Sequence, residues 1–90
     1  MFIYRKWDKF CLELSKKYNC IRVDEIPDQP LDRSWISIKH DVETNVKNAL
    51  KIAKIEKKYN IRATYFIQSY LLLDNINLLQ DISDLGHEVS

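Results

Sequence analysis

Apolar residues recur at helical spacing in the first segment. Trp7, Phe10, Cys11, Leu14 and Tyr18 fall at i, i+3, i+4, i+7 and i+11, a single stripe. Lys16 and Lys17 follow in the last turn, where cations suit the helix dipole, and Asn19 is a candidate left-handed cap. Ile21-Arg22-Val23 is a short strand candidate, and the segment from Asp24 to Arg33, with both prolines and several acidic residues, reads as a loop. Alternation then predicts a strand over Trp35–Asp41, with Ile36 and Ile38 against Ser37 and Lys39. A second helix carries Val46, Ala49, Leu50 and Ala53, widened by Ile52, Ile55 and Tyr59, with Thr44 as its cap and Asn60 closing it. Ile61–Ile67 is rich in β-formers and predicts a second strand. A last helix begins at Asp74 or Asn75, carries Ile76, Leu79, Ile82 and Leu85, and stops at Gly86; His87–Ser90 starts another strand.

Strands alternating with helices imply right-handed βαβ units and a parallel sheet. Two strands and a stub do not make a parallel sheet covered on both faces. The expected architecture is therefore either an assembly or the front of a larger domain. Lys16–Val23 echoes Lys57–Ala63, both reading as helix end, cap and strand start, but the segments match nowhere else and do not define a repeat.

Composition narrows the functions. The single glycine excludes a Gly-rich phosphate cradle. A formal net charge of +1 gives no electrostatic reason to expect nucleic acid or an anionic membrane. Hydrophobic residues make up 46% of the chain, too many for a disordered segment. Cys11 and Cys20 show no metal-ligand spacing and read as reduced thiols, Cys11 within the core. No run approaches the roughly 20 apolar residues of a membrane span. The charged start, Arg5-Lys6-Trp7-Asp8-Lys9, lacks the apolar stretch of a signal peptide, so a soluble, cytoplasmic protein is expected.

In parallel α/β folds the chemistry lies at the carboxyl ends of the strands. Here that position is Lys39-His40-Asp41-Val42-Glu43. The plain reading is a strand exit whose carboxylates favour the next helix N-terminus. The ordered set Ile36-Ser37-Ile38-Lys39-His40-Asp41-Val42-Glu43, then Lys57–Ile67, then Asp84-Leu85-Gly86-His87-Glu88-Val89-Ser90, resembles the first part of a polysaccharide deacetylase domain of the NodB-homology family. The resemblance covers roughly residues 34 to 90, and residues 1–33 resemble the leading helix of members whose acidic motif reads H-D-V-[DE].

The resemblance implies the N-terminal portion of a distorted (β/α) barrel, truncated within residues 34–90. It implies metal-dependent hydrolysis of non-peptide C–N bonds, chiefly removal of N-acetyl groups from sugars. The substrate would be an acylated sugar or a related small amide, and the cofactor a divalent metal, with Zn²⁺ expected. Asp41 matches the family's catalytic base. The metal-binding carboxylate would shift to Glu43, with Asp41 as the alternative ligand and Glu43 then only favouring the helix. His40 would orient Asp41 or play a structural part, Lys39 would be a charge partner of Asp41 or a solvated lysine, and His87 belongs to a structural turn. The family's paired metal-binding histidines would follow that turn, beyond Ser90, so this chain alone is expected to be inactive and its longer parent to be the enzyme. The competing expectation is a non-catalytic α/β module that pairs with itself or a partner through an open sheet edge.

Overall fold

The computed structural model describes residues 2–28 and 34–90. Helix α1 spans Phe2–Lys17 and is followed by a short strand, β1, at Asn19–Cys20 and a 3-10 helix at Val23–Asp28. Strands β2 (Trp35–Ile36) and β3 (Lys39–Val42) lead into α2 (Val46–Lys58). Strand β4 is Thr64–Ile67; two 3-10 turns, Ser69–Leu71 and Leu73–Asn75, precede α3 (Ile76–Asp84) and β5 (Glu88–Val89). The result is a small α/β fold with parallel strands and no closed barrel among the described residues. No described helix is long and apolar enough to cross a membrane.

All observed strand pairs are parallel. The larger sheet has the order β3-β4-β5, with His40 opposite Tyr65 and Tyr65 opposite Val89. A second, two-stranded sheet pairs β1 with β2. The strand expected over Trp35–Asp41 is thus shared between two sheets. Its partner changes at Ser37-Ile38: Ile21 N–H donates to Ile36 O, whereas Thr64 N–H donates to Ile38 O.

The strand expected at Ile61–Ile67 starts later, at Thr64, because Ile61 N–H is still bonded to Glu56 O at the end of α2. Asn19 is not a left-handed cap but the first residue of β1, opposite Trp35. The expected strand at Ile21–Val23 accordingly sits two residues earlier. Asn60 does take the left-handed conformation, at φ 58°, and Gly86 does so at φ 99°. The side-chain cap of α2 is Asn45, not Thr44: its side chain accepts from Asn48 N–H. Part of the expected proline loop, residues 29–33, lies outside the described residues; the rest of it, from Asp24 on, belongs to the 3-10 helix Val23–Asp28.

The main core joins one sheet face to α2 and α3. Val42, Val46, Ala49, Leu50, Ala53, Ala63, Tyr65, Leu79 and Ile82 form it, so the predicted α2 stripe is buried as expected. In α3, Leu79 and Ile82 are buried but Ile76 is exposed. A smaller core of Cys11, Cys20 and Ile61, flanked by Trp7 and Leu14, seats α1. Only a narrow part of the α1 stripe is used, since Phe10 and Tyr18 remain exposed. Asp8 pins α1 to the end of α2 by bonding both Lys58 and Tyr59. Both cysteines are free thiols, and burial pushes the Cys11 thiol up to about 12.

Candidate functional site

Strand alternation sorts the residues of the larger sheet onto two faces. His40, Val42, Tyr65, Ile67 and Val89 share the face that packs on α2 and α3. Lys39, Asp41, Thr64, Phe66 and Glu88 share the other. Thr64 is sealed at its amino end: Val23 N–H donates to Thr64 Oγ1, which donates to Glu88 Oε1. Toward the carboxyl end this face is open, and Asp41 is exposed there.

Glu43 follows β3 and is also exposed. Asp41 and Glu43 are both among the residues that border one hollow of about 240 Å³, between the strand exit and the first turns of α2, together with His40, Asn45 and Tyr65. Strand alternation turns the Asp41 side chain to the sheet face away from α2, whereas the hollow opens on the α2 side. Neither side chain has a hydrogen bond or ion pair among the described residues, and Lys39 is exposed without pairing to Asp41. The Tyr70 hydroxyl donates to the Glu43 backbone carbonyl, which ties the turn after β4 to this mouth.

The donor set does not make a metal centre on its own. No group of three or more His, Cys, Asp or Glu able to hold a metal ion occurs among the described residues. Two carboxylates without histidine are a poor set for Zn²⁺, which takes N and S ligands in tetrahedral sites. The two histidines are engaged elsewhere. His40 does not reach back to orient Asp41; it lies on the opposite strand face, with Nε2 2.7 Å from Glu56 Oε2. His87 is buried, accepting at Nδ1 from Ala63 N–H and donating from Nε2 to Ala53 O.

Glu56 is the residue that sequence reasoning missed. It is fully buried on α2, and its two oxygens divide between partners: Oε1 accepts from the Tyr65 hydroxyl and Oε2 is hydrogen-bonded to His40 Nε2. One hydrogen is shared across the contact between His40 Nε2 and Glu56 Oε2. Burial, reinforced by the Glu56 charge and hydrogen bond, pushes the Tyr65 phenol far above its usual range and keeps it a donor. His87 stands 3.9 Å from Glu56 Oε1, and burial holds its imidazole below the ordinary value, so it is neutral. The rings of Trp7, His40, Tyr65 and His87 succeed one another at centroid distances of 5.7, 4.7 and 5.3 Å. The signal for Glu56 was present: position 56 continues the 46, 49, 53 stripe, so a carboxylate lies where the period demands an apolar residue.

Comparison of the chain with protein-family models, with curated proteins and with solved structures gives no match in any of the three.

Proposed function

We propose that the chain is the leading α/β part of a hydrolase that cleaves non-peptide C–N bonds, chiefly acyl groups on sugars, in the manner of the polysaccharide deacetylases its motifs resemble. One observation supports this most. Asp41 is an unpaired, exposed carboxylate at the carboxyl end of a parallel strand, on the sheet face opposite the helices. That is where parallel α/β enzymes place their catalytic groups. In this reading Asp41 takes the proton from the attacking water, which general-base catalysis requires of a free carboxylate within reach of solvent. Glu43, exposed just past the end of the same strand, is the carboxylate that would hold a divalent metal. Asp41 and Glu43 do not complete such a site, so histidines from elsewhere in a longer protein would have to join them.

The test is acetate release from N-acetylated oligosaccharides by the full-length gene product. Wild type should release acetate and Asp41→Asn should lose at least about a hundredfold in rate, the lower bound of general acid–base contributions. An Asp41→Asn protein as active as wild type would remove Asp41 from the chemistry. Metal content after Glu43→Gln separates the two carboxylates: unchanged affinity moves the ligand role to Asp41.

A further inference from the structure

The net charge of +1 conceals a division of charge along the chain. All 14 Lys and Arg residues lie within residues 1–62, whereas residues 63–90 carry Asp74, Asp81, Asp84 and Glu88 and neither Lys nor Arg. The fold gathers the two signs on separate elements. Helices α1 and α2 pack on each other and hold five Lys or Arg each. Asp74 lies in the 3-10 turn before α3, and Asp81 and Asp84 lie on α3; all three are exposed.

Each side also exposes apolar surface. Tyr70, Leu72, Leu73 and Ile76 are exposed within seven residues, Leu73 at 86% and Ile76 at 60%, and Asp74 stands among them. Single exposed apolar residues are ordinary, but a group of them rimmed by polar residues marks an interaction surface. The basic side has a groove, a hollow of about 560 Å³ between α1, β3 and α2, walled by Tyr4, Trp7, Phe10 and Ile52 and lined also by Lys6. Phe10 is 52% exposed there. Lys51 stands over the Tyr4 ring, 5.7 Å from its centroid, and pairs with no carboxylate among the described residues. The groove uses the Asn48 and Ile52 side of α2, and α3 packs on the side of Val46, Leu50 and Ala53, so no residue of the ridge lines the groove of its own copy.

We propose that the acidic apolar ridge at Tyr70–Ile76 of one copy docks in the basic aromatic groove of a second copy, so that the chain associates head to tail with itself. Charge selects this occupant. An anionic lipid surface would suit the groove and leave the ridge bare, and a basic partner would suit the ridge and leave the groove bare. A second copy satisfies both at once, with Leu73 and Ile76 against Trp7 and Phe10 and with Asp74 toward the lysines beside the groove. The apolar contacts supply the affinity, and the opposite charges set the encounter and the orientation. Ridge and groove are different surfaces, so the contact is heterologous: it closes into a ring or continues as a chain of copies. Neither Asp41 nor Glu43 belongs to either surface, so this association does not depend on the hydrolase reading.

Sedimentation equilibrium of the 90-residue chain at low ionic strength is the test. The average mass should exceed that of a monomer and rise from micromolar to millimolar concentration, and about 0.5 M salt should lower it by screening the exposed charges. Leu73→Ser and Phe10→Ser should each weaken the association about tenfold or more. Leu73 packs on almost nothing within the chain, so that variant folds as wild type does. Lys51→Glu takes the place of Phe10→Ser as the groove variant if Phe10→Ser does not fold. A mixture of the ridge variant with the groove variant retains one native groove and one native ridge, and it should form a one-to-one pair and grow no further. A wild-type chain that stays monomeric, an association that Leu73→Ser leaves intact or that salt strengthens, sensitivity to the ridge variant alone, or a mixture no more associated than its components would each overturn the inference. A chain that stays monomeric but binds phosphatidylserine vesicles through Phe10 would overturn it too, and would assign the groove to a lipid surface.

Discussion

Two acidic regions lie within one strand and one helix of each other and follow opposite rules. Glu56, inside, has no exposed surface and both of its oxygens are bonded. Asp41 and Glu43, at the mouth of β3, are exposed and their carboxylates are bonded to nothing described. Removing a charge from water is costly unless partners replace the water, so an interior carboxylate is tolerated only with a complete set of donors. Glu56 has that set and with it joins α2 to β3 and β4. The mouth carboxylates keep their water, contribute little to holding the fold and stay free for a ligand. The interior region is thus expected to control stability, and the mouth to control chemistry.

The largest effect expected from this contrast is that of Glu56→Ala. It would leave the Tyr65 hydroxyl and His40 Nε2 facing a cavity. Breaking one side of a buried pair costs about 3–5 kcal/mol, and the partial exposure of His40 points to the lower end. That is a large share of the roughly 5–15 kcal/mol that ordinary domains possess. A urea titration of wild type and variant reads it directly. A shift no larger than that of a surface substitution would place Glu56 in the same class as the mouth residues.

Tyr65→Phe comes next. It keeps the ring in the core and removes only the donor to Glu56 Oε1. Leaving a buried acceptor unsatisfied costs about 1–3 kcal/mol. A double-mutant cycle of Tyr65→Phe with Glu56→Gln should show coupling between the two, whereas Tyr65→Phe with Asp41→Asn should be additive.

How much of this contrast was legible in the sequence depends on what each residue needed in order to be read. The α2 stripe, the Gly86 stop and the Asn60 cap follow from local rules, and each is present. The shared Lys-Lys-Tyr-Asn run shows where local rules fail. After α2, Asn60 turns left-handed; after α1, Asn19 stays extended because its N–H is taken by Ser34 O and its strand partner is Trp35. Cys20 O accepts from Arg62 N–H, so the two echoes lie side by side, each serving a different sheet position. The break between β2 and β3 was hidden for the same reason, since the change of partner at Ile38 is a tertiary event. At the site, the motif picked out Asp41 and Glu43, both exposed at the exit of β3. It missed Glu56 because a glutamate among lysines near a helix end has the look of a solvated face, although the period placed it on the core side.

The interior network also sets a pH dependence that the mouth does not. His87 is held neutral by burial, with its imidazole below the ordinary value of 6.5. The unfolded chain therefore binds a proton that the folded chain refuses. Stability is fully present above about 6.5 and falls as pH drops from there toward the folded-state value, by about 1.4 kcal/mol per pH unit at most from this group. Unfolding midpoints measured between neutral and mildly acid pH should show this decline in wild type. Asp41→Asn should show the same decline, because the mouth takes no part in it.

The smallest expected effect on stability, and the most informative for function, is that of Asp41→Asn itself. The side chain is exposed and bonds no described group, so the amide should leave the urea midpoint of the chain where it is. A fall in stability would mean that Asp41 has an ordering role within the chain, and the division between a structural interior and a chemically free mouth would no longer hold.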